Sequence, residues 1–410
     1  MKLNLFVKVK VFIYFVLEIK KNLSKLKKIF VLVGEESGDI IASDLIKEIK
    51  KQNKNKFNLE FFGVTGPRMK SNGVSTLFDF TNINYLGISE IILNFFSLKI
   101  KLNKLTKKIK VINPDVLITV DAKLFSLSLA KALKKDNFTN GIKLIHVVLP
   151  TIWAHSPSRA HKWKNVFDLL ISIIPNEDNY FAHYNIKTVY LGNPIFEKFF
   201  NKITTLKFEN NKNTSNCLIL PGSRKNEIKY NIDILLKTVL KINYHYKNKI
   251  KWLLPTLGRF REVLKNKIKA YNLQHDIEVV DFDKSFKKIA ASKVAISCSG
   301  TATLQLSLLS IPTIVIYKTS FLNGFIGKFF INIDNVILPN FISGKQILPF
   351  LFQEKCNTKN LFKLFCEYFD NYKVHKDKFK KLSKDLEIEI IRNKNGFNYN
   401  LSKIIINILS

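Results

Sequence analysis

The side chain best placed to act as a base is Asp121, which closes the apolar run VLITVD (116–121). A carboxylate at the end of a buried strand is expected at the edge of a sheet, with apolar side chains behind it. Partial loss of water there would raise its pKa, which suits a general base acting on a hydroxyl group. The alternative is that Asp121 only caps the following helix. The sequence leaves both roles open.

Two other runs, LILPGSRKNEI (218–228) and ISCSGTATLQ (296–305), each predict a strand, a tight turn and the start of a helix. Helix N-termini present unpaired backbone N–H groups and the positive end of the dipole, and an arginine adds a planar fork of donors. Together they predict a diphosphate site without a metal, because no acidic pair lies near either turn. The reaction class indicated is group transfer from a nucleoside diphosphate. The candidate contacts are Gly222, Ser223, Arg224, Ser299, Gly300 and Thr301.

Weaker candidates lie in three further segments. In VGEESGD (33–39) a strand becomes a helix, with Ser37 and Asp39 placed to cap it. The glycine loop FGVTGPRM (62–69) ends at Arg68 and either lines a site or only turns the chain. His146 belongs to a predicted strand, KLIHVV, and is a candidate site residue, although no histidine has the spacing of a metal ligand.

Short apolar runs alternate with helical periodicity along most of the chain, for instance helices at 39–51 and 124–135. Apolar strands of this kind predict parallel sheets covered by helices on both faces. A polar stretch at 200–215 separates two such series and is the expected hinge. The expected strands are 29–34, 59–64, 116–121, 143–148, 169–174 and 188–192, then 216–223, 251–256, 277–282, 294–300 and 312–317.

Length and pattern together predict two α/β domains, since 410 residues exceed what one core usually supports. Ligands of such sheets bind at the carboxyl ends of the strands, here in a cleft between the domains. The expected division is an N-terminal extension at 1–27, domains at 28–199 and 216–375, and a C-terminal helical segment at 376–410 that packs back on the first domain.

The net charge of +34 comes from 66 basic and 32 acidic side chains and would favour any polyanion. The excess is spread along the chain as lysine, together with abundant Asn, Ile and Phe, which indicates a general drift in residue usage. No nucleic-acid recognition motif is present, and the four cysteines lack CxxC spacing, so a reducing compartment is expected. The run FIYFVL near the N-terminus is too short to span a bilayer and is either a surface anchor or a poorly ordered extension.

Eight motifs, in order, resemble the lipid A disaccharide synthase family across residues 28 to 400. They are VGEESGD, GVTGPRM, YLGISEI, PDVLITVDA, IHVVLPTIWA, LILPGSR, SGTATLQ and LPNFISGKQILPFLFQ. The resemblance implies a GT-B type fold, in which two Rossmann-like, doubly wound domains leave a cleft between them.

The resemblance also implies a glycosyltransferase that needs no cofactor and no metal. It would transfer 2,3-diacylglucosamine, with inversion, from UDP to the 6-hydroxyl of 2,3-diacylglucosamine 1-phosphate. Asp121 would be catalytic, and Arg224 and the loop from Ser299 to Ala302 would bind UDP. The motifs add candidates on the acceptor side or in the cleft: Glu36, Ser37, Arg68, Glu90, His146 and Asn340. The implied setting is the cytoplasmic, anionic face of the inner membrane of a Gram-negative bacterium. No nucleic-acid partner is expected, and a homodimer is one option for an oligomeric state that the sequence leaves open.

The chain departs from the family pattern at several positions. Gln305 stands where the family has a glutamate suited to the ribose hydroxyls, and Leu124 replaces a second aspartate. His155 and Lys345 replace a tryptophan and an arginine. Two alternatives therefore stay open: an enzyme like UDP-N-acetylglucosamine epimerase, and a divergent inactive homologue with a binding role.

Overall fold

The computed structural model describes residues 25–80, 95–135, 138, 141–152, 157–205, 216–320, 336–391 and 395–410. Contacts divide the chain into two compact units. The first unit comprises Met1–Pro150, Ser158–Ile195 and Asn393–Ser410, and the second comprises Thr151–Pro157 and Phe196–Arg392.

Within the described residues, the first unit has a sheet of seven parallel strands in the order β3-β2-β1-β4-β5-β6-β7. The strands are β1 Leu26–Val33, β2 Asn58–Thr65, β3 Ser75–Asp79, β4 Val116–Val120, β5 Lys143–Val147, β6 Leu169–Ser172 and β7 Thr188–Tyr190. The helices of this part of the chain are α1 Glu36–Asn53, α2 Pro67–Ser71, α3 Phe95–Ile112, α4 Lys123–Lys135, α5 Asp178–Ala182 and α6 Pro194–Thr204, with a 3-10 helix at Pro157–Trp163.

The described part of the second unit repeats the design with six parallel strands in the order β10-β9-β8-β11-β12-β13. The strands are β8 Asn216–Leu220, β9 Lys251–Pro255, β10 Ile277–Val280, β11 Ala295–Cys298, β12 Thr313–Tyr317 and β13 Phe350–Phe352. The helices that follow are α7 Lys225–His245, α8 Arg261–Ala270, α9 Phe286–Ala290, α10 Thr301–Leu308, α11 Leu338–Ser343, α12 Thr358–Asp370, α13 Tyr372–Ile390 and α14 Phe397–Leu409, with 3-10 helices at Gly258–Phe260 and Gln353–Lys355.

The central strands are buried on both faces, which explains why they read as unbroken apolar runs. Every residue of β4 is buried, as is every residue of β1 from Ile29 to Val33. Helices cover both faces of a parallel sheet, so a polar residue in these strands needs a partner inside the protein, as Thr119 has in His146. The prediction of two doubly wound α/β sheets is confirmed.

The C-terminal segment expected at 376–410 divides between the two units. Helix α13 packs against α10 and α11 of the second unit. Helix α14 packs against α1 of the first unit, through Phe397, Leu401, Ile405 and Leu409, which are all buried and recur every four residues. The chain returns to the first unit after Arg392.

Each sheet has one point at which the strand order reverses direction. In the first unit it lies between β1 and β4, and in the second between β8 and β11. At such a point the loops that leave the two strands diverge to opposite faces, which opens a crevice at the carboxyl ends where ligands of doubly wound sheets bind. The candidate residues around Asp121 and Arg224 follow these strands.

Candidate active site

Asp121 and Glu35 meet at the reversal point of the first sheet. Val33 ends β1 opposite Val120, the last residue of β4, so the two chains leave the sheet side by side. A Cβ atom on Gly34 would lie 2.4 Å from the Cβ of Ala122. A glycine is therefore required at position 34 for the two turns to approach each other, and this approach brings Glu35 to the side chain of Asp121.

The carboxylate of Asp121 is held at this edge by its own backbone. Its φ of 55° turns the chain out of the strand, and its N–H donates to the carbonyl of Val147 at 2.9 Å. Its side chain is 19% exposed, and Lys123 Nζ lies 3.7 Å from Oδ1. The group is thus open to a ligand on one side and bordered by a cation on the other.

Glu35 and Asp121 shift each other's pKa in opposite directions. A side-chain hydrogen bond with Asp121, burial and the negative charge of Asp121 raise the pKa of Glu35 to about 7. Burial would raise the pKa of Asp121, but the hydrogen bond with Glu35 and the charge of Lys123 outweigh it, so this pKa is lowered. Below about pH 7 the pair therefore holds a neutral Glu35 beside an ionised Asp121.

Sequence reasoning missed Glu35 and named its two neighbours instead. Glu36 is the first residue of α1, and it is exposed. Ser37 is half-buried and its Oγ donates to Glu35 Oε1 at 3.0 Å, so it supports Glu35. Two adjacent glutamates gave no signal for choosing between them, because the backbone path of the turn decides which one faces Asp121.

His146 lies on β5 beneath the same edge. It is fully buried, pairs with Thr119 in register, and its Nδ1 lies 2.7 Å from Thr119 Oγ1. Burial lowers the pKa of His146 to about 3, against the opposing charge of Asp121, so the ring is neutral. Its Nε2 has no hydrogen-bond partner in the described structure, and the ring packs 4.7 Å from the ring of Trp163.

Asp39 serves a different helix from the one that the sequence suggested. Its buried carboxylate accepts hydrogen bonds from the backbone N–H groups of Gly66, Arg68 and Met69, at 3.1, 2.9 and 3.1 Å. It therefore caps α2 rather than α1. The side chain of Arg68 is exposed, so the structure assigns its backbone, and not its guanidinium, to this contact.

In the second unit, Glu227 occupies the turn that was expected to hold a diphosphate. Its Oε2 accepts the N–H groups of Ser223 at 2.8 Å and Arg224 at 3.1 Å, and Arg224 Nη1 donates to its Oε1 at 3.0 Å. A Cβ on Gly222 would lie 2.4 Å from the Cβ of Glu227. These two backbone donors are thus already bonded within the chain, while the Arg224 side chain stays 74% exposed.

The neighbouring turn after β11 remains open. Gly300 has a φ of 157° and a ψ of −165°, a conformation that is essentially restricted to glycine. Gly300 and Thr301 are exposed, whereas Ser299 and Gln305 are half-buried. Helix α10 therefore begins at Thr301 with an accessible N-terminal turn beside the end of β11.

Asn231 links helix α7 to the segment that follows β12 through hydrogen bonds. This fully buried side chain donates to the carbonyl of Glu227 at 2.7 Å and accepts the N–H of Lys318, which follows β12, at 3.0 Å. Its Nδ2 also lies 3.8 Å from the Sγ of Cys298. Burial and the charge of Glu227 raise the pKa of the Cys298 thiol, which keeps it neutral.

A second arginine at this edge, Arg259, was not recognised from the sequence. It lies in the 3-10 helix Gly258–Phe260, which follows β9, and its Nη2 donates to the carbonyl of Ser223 at 3.2 Å. Its guanidinium also lies 4.9 Å from the centre of the Phe260 ring. Arg224 and Arg259 thus flank the same turn.

Asn340 lies within helix α11 rather than in an open loop. It is buried, its Nδ2 donates to Gln346 Oε1 and the carbonyl of Leu348, and its Oδ1 accepts the N–H groups of Ile347 and Leu348. These bonds use its full hydrogen-bonding capacity. Its side chain therefore fixes the segment after α11.

Other expected residues lie outside the described residues, namely Glu90, His155 and the N-terminal run FIYFVL. Across the described ranges, no group of three or more His, Cys, Asp and Glu side chains could hold a metal ion. Over the same ranges, no helix combines the length and apolar character needed to cross a membrane.

Comparison with known families favours the synthase among the sequence-based alternatives. The family model described as lipid-A-disaccharide synthetase matches residues 29–405. The chain belongs to this family. It is similar to the lipid-A-disaccharide synthase of Rickettsia typhi, at 33% identity over 81% of this chain and 86% of that protein. The synthase of Wigglesworthia glossinidia brevipalpis is also 33% identical, over 87% of this chain and 92% of its own length.

Solved structures resemble this family member in fold. The UDP-GlcNAc 2-epimerase of Neisseria meningitidis superposes with a TM-score of 0.57 over 93% of this chain and 99% of its own, at 14% identity. MnaA of S. aureus gives a TM-score of 0.56, also at 14% identity, over 93% of this chain and 96% of its own. These likenesses support the GT-B type fold, and the epimerase alternative has support at that level alone. The synthase family member is a glycosyltransferase of lipid A biosynthesis.

Proposed function

We propose that the chain transfers 2,3-diacylglucosamine from UDP to the 6-hydroxyl of 2,3-diacylglucosamine 1-phosphate, giving a disaccharide 1-phosphate and UDP. Membership of the synthase family supports the reaction. The observation that carries the site assignment is the position of Asp121, at the reversal point of the first sheet, with its carboxylate ionised and partly exposed.

Asp121 acts as the general base in this proposal. Its Oδ accepts the proton of the acceptor 6-hydroxyl while the hydroxyl oxygen attacks the anomeric carbon of the donor. The bond from that carbon to the diphosphate oxygen breaks, and its electron pair leaves with UDP. A single displacement of this kind inverts the anomeric configuration. Positioned bases typically contribute about 100-fold or more to such steps.

The second unit binds the leaving diphosphate in this proposal. The exposed fork of Arg224 supplies charged donors, and the open N-terminal turn of α10, with Ser299, Gly300 and Thr301, supplies backbone N–H groups and the positive end of a dipole. Arg259 flanks the same turn and adds a second cation. Gln305 lies one turn into α10, where its amide can bond the ribose hydroxyls.

We also assign the enzyme to the cytoplasmic, anionic surface of the inner membrane, as a peripheral protein and a homodimer. Helix α3 supports the surface assignment, because Phe96 and Ile100 are 79% and 57% exposed and share the helix with Lys101 and Lys104. Apolar side chains beside lysines favour binding to anionic lipid. Sedimentation with vesicles tests this: equal recovery on anionic and neutral vesicles would contradict it.

One assay tests the reaction. Purified protein is given UDP-diacylglucosamine with and without the acyl-sugar phosphate, and both lipid product and UDP are followed. Product that requires both substrates supports the transferase. Isomerisation of the donor alone would indicate an epimerase, and no reaction in either mixture would indicate a binding protein. Either of the last two results overturns the proposal.

A further inference from the structure

The side chain of Glu35 is hydrogen-bonded to that of Asp121, and no step of the proposed reaction uses Glu35. Two carboxyl groups can form a hydrogen bond only if one of them carries a proton. We propose that Glu35 and Asp121 share one proton and work as a single base, in which Glu35 is a positioning residue that controls how strongly Asp121 attracts the acceptor's proton. This inference rests on the proposed function.

The pair is fixed by the sheet rather than by free rotation of two side chains. The pairing of Val33 with Val120 and the close approach of Gly34 to Ala122 set the distance between the two turns. Ser37 Oγ then donates to Glu35 Oε1 at 3.0 Å and orients that carboxyl group. Groups held by a packed scaffold need no reorganisation when charge moves between them.

The charged and titratable groups around the pair come from three elements. Ser37 on α1 donates to Glu35, and Lys123 at the start of α4 lowers the pKa of both carboxyls through its charge. His146 on β5 also lies near Asp121, and its Nδ1 is 2.7 Å from Thr119 Oγ1. Since the pKa of this histidine is lowered to about 3 by burial, the ring is neutral wherever the enzyme works and leaves the titration to the carboxyl pair.

The pair has two working states. Below pH 7 it holds one proton and one negative charge, and Asp121 is a weak base because its pKa is lowered. Above the pKa of Glu35, about 7, the pair has lost that proton and carries two negative charges. In this doubly charged state the pair binds a proton with a pKa of about 7. A general base works best when its pKa lies near the working pH.

The transfer step uses the second state. The acceptor O–H bond breaks and its proton lodges between Asp121 and Glu35, while the acceptor oxygen bonds the anomeric carbon and the diphosphate leaves with the electron pair of the broken bond. The pair returns to its singly protonated state, the one that the hydrogen bond stabilises. The proton then passes to water, and the next cycle can begin.

The first test is the pH profile of Glu35→Gln. Turnover of the wild type should rise about tenfold per pH unit up to about pH 7 and then level off. The glutamine amide donates to Asp121 at every pH, so the variant should lose this rise and fall at least about tenfold below the wild type at about pH 8. Glu48→Gln, further along α1, is the matched control and should keep the wild-type profile. A Glu35→Gln profile equal to the wild type would overturn the inference.

The second test needs no substrate. Infrared spectra of the wild type should show the C=O band of a protonated carboxyl at about pH 6 that disappears by about pH 8.5, and Glu35→Gln should lack this titration. A wild type without a band that titrates in this range contradicts the shared proton. A titrating band in a protein that makes no lipid product would instead overturn the proposed reaction and leave the pair intact.

A third variant guards against loss of folding in Glu35→Gln. Ser37→Ala removes a hydrogen bond that lowers the pKa of Glu35, so the rise in turnover and the loss of the infrared band should both move to higher pH. A titration midpoint that stays at the wild-type pH, with the protein folded, would count against the pair.

Discussion

Glu227 places its Oε2 atom 2.8 Å from the backbone nitrogen of Ser223, so a side chain of the protein binds the turn where a phosphate oxygen was expected. The same oxygen accepts the N–H of Arg224. The start of α7 is therefore stabilised from within the chain. A ligand at this edge has to use the Arg224 side chain and the neighbouring turn of α10.

Replacing Glu227 should lower stability. Glu227→Ala removes the acceptor of two backbone N–H groups at a helix start, and loss of such a cap costs about 1–2 kcal/mol. Urea unfolding measures the change. Glu262→Ala, which removes an exposed ion pair with Lys265, is the control and should cost less than about 1 kcal/mol. If Glu227→Ala loses no more stability than Glu262→Ala, the hydrogen bonds of Glu227 do not stabilise the helix start.

Replacing Arg224 should weaken UDP binding with little change in stability. Its side chain is 74% exposed, and charged hydrogen bonds to phosphate are worth about 1.5–3 kcal/mol, so Arg224→Ala should raise the Kd for UDP about 10- to 100-fold. Calorimetry measures the affinity. Arg224→Lys keeps the positive charge and loses the planar fork of donors, so its Kd for UDP should lie between those of the wild type and Arg224→Ala. An unchanged Kd in Arg224→Ala places the diphosphate elsewhere.

Replacing Asp121 should strongly lower turnover while leaving UDP binding intact. Asp121→Asn keeps the shape and the backbone bond to Val147 but cannot accept a proton, so turnover should fall at least about 100-fold. The Kd for UDP should stay near that of the wild type, because the diphosphate contacts assigned here lie on the other sheet. Turnover within about tenfold of the wild type would remove Asp121 from the role of base.

Acid should destabilise the first unit through His146. Its pKa is lowered on folding from 6.5 to about 3, so its contribution to stability is complete above pH 6.5 and is lost as pH falls toward 3. Unfolding midpoints from about pH 7 to 4 should drop less in His146→Leu than in the wild type. The exposed His245→Leu is the control and should follow the wild type. Parallel curves for all three proteins would contradict this prediction.

Strands that are buried on both faces are visible in the sequence as apolar runs. Runs such as 29–34 and 116–121 mark β1 and β4 to within a few residues. The edge strands β3 and β13 were missed: β3, STLFD, is partly exposed and has only two apolar residues, and β13 has only three residues in all. Edge strands are a weaker case: β7 and β10 were expected at 188–192 and 277–282, whereas β3 and β13 were not.

The sequence predicted the site residues that follow strands but not the side chains that contact them. Asp121 directly follows β4, and Arg224 comes shortly after β8, so their positions could be read from the ends of apolar runs. The partners Glu35 and Glu227 could not be identified, because each is chosen by the backbone path of a turn. Arg259 was missed for a similar reason: only the order of the strands brings the loop after β9 beside the loop after β8.

The segment from Glu35 to Asp39 has a consequence for engineering. One end of it touches the loop after β4 through Glu35, and the other end caps α2 after β2 through Asp39. One added residue within it would rotate Asp39 by about 100° around α1 and break the second contact if the first is kept. Insertions and deletions in this segment should therefore be far less tolerated than substitutions. Active engineered variants are expected to keep the number of residues between Glu35 and Asp39.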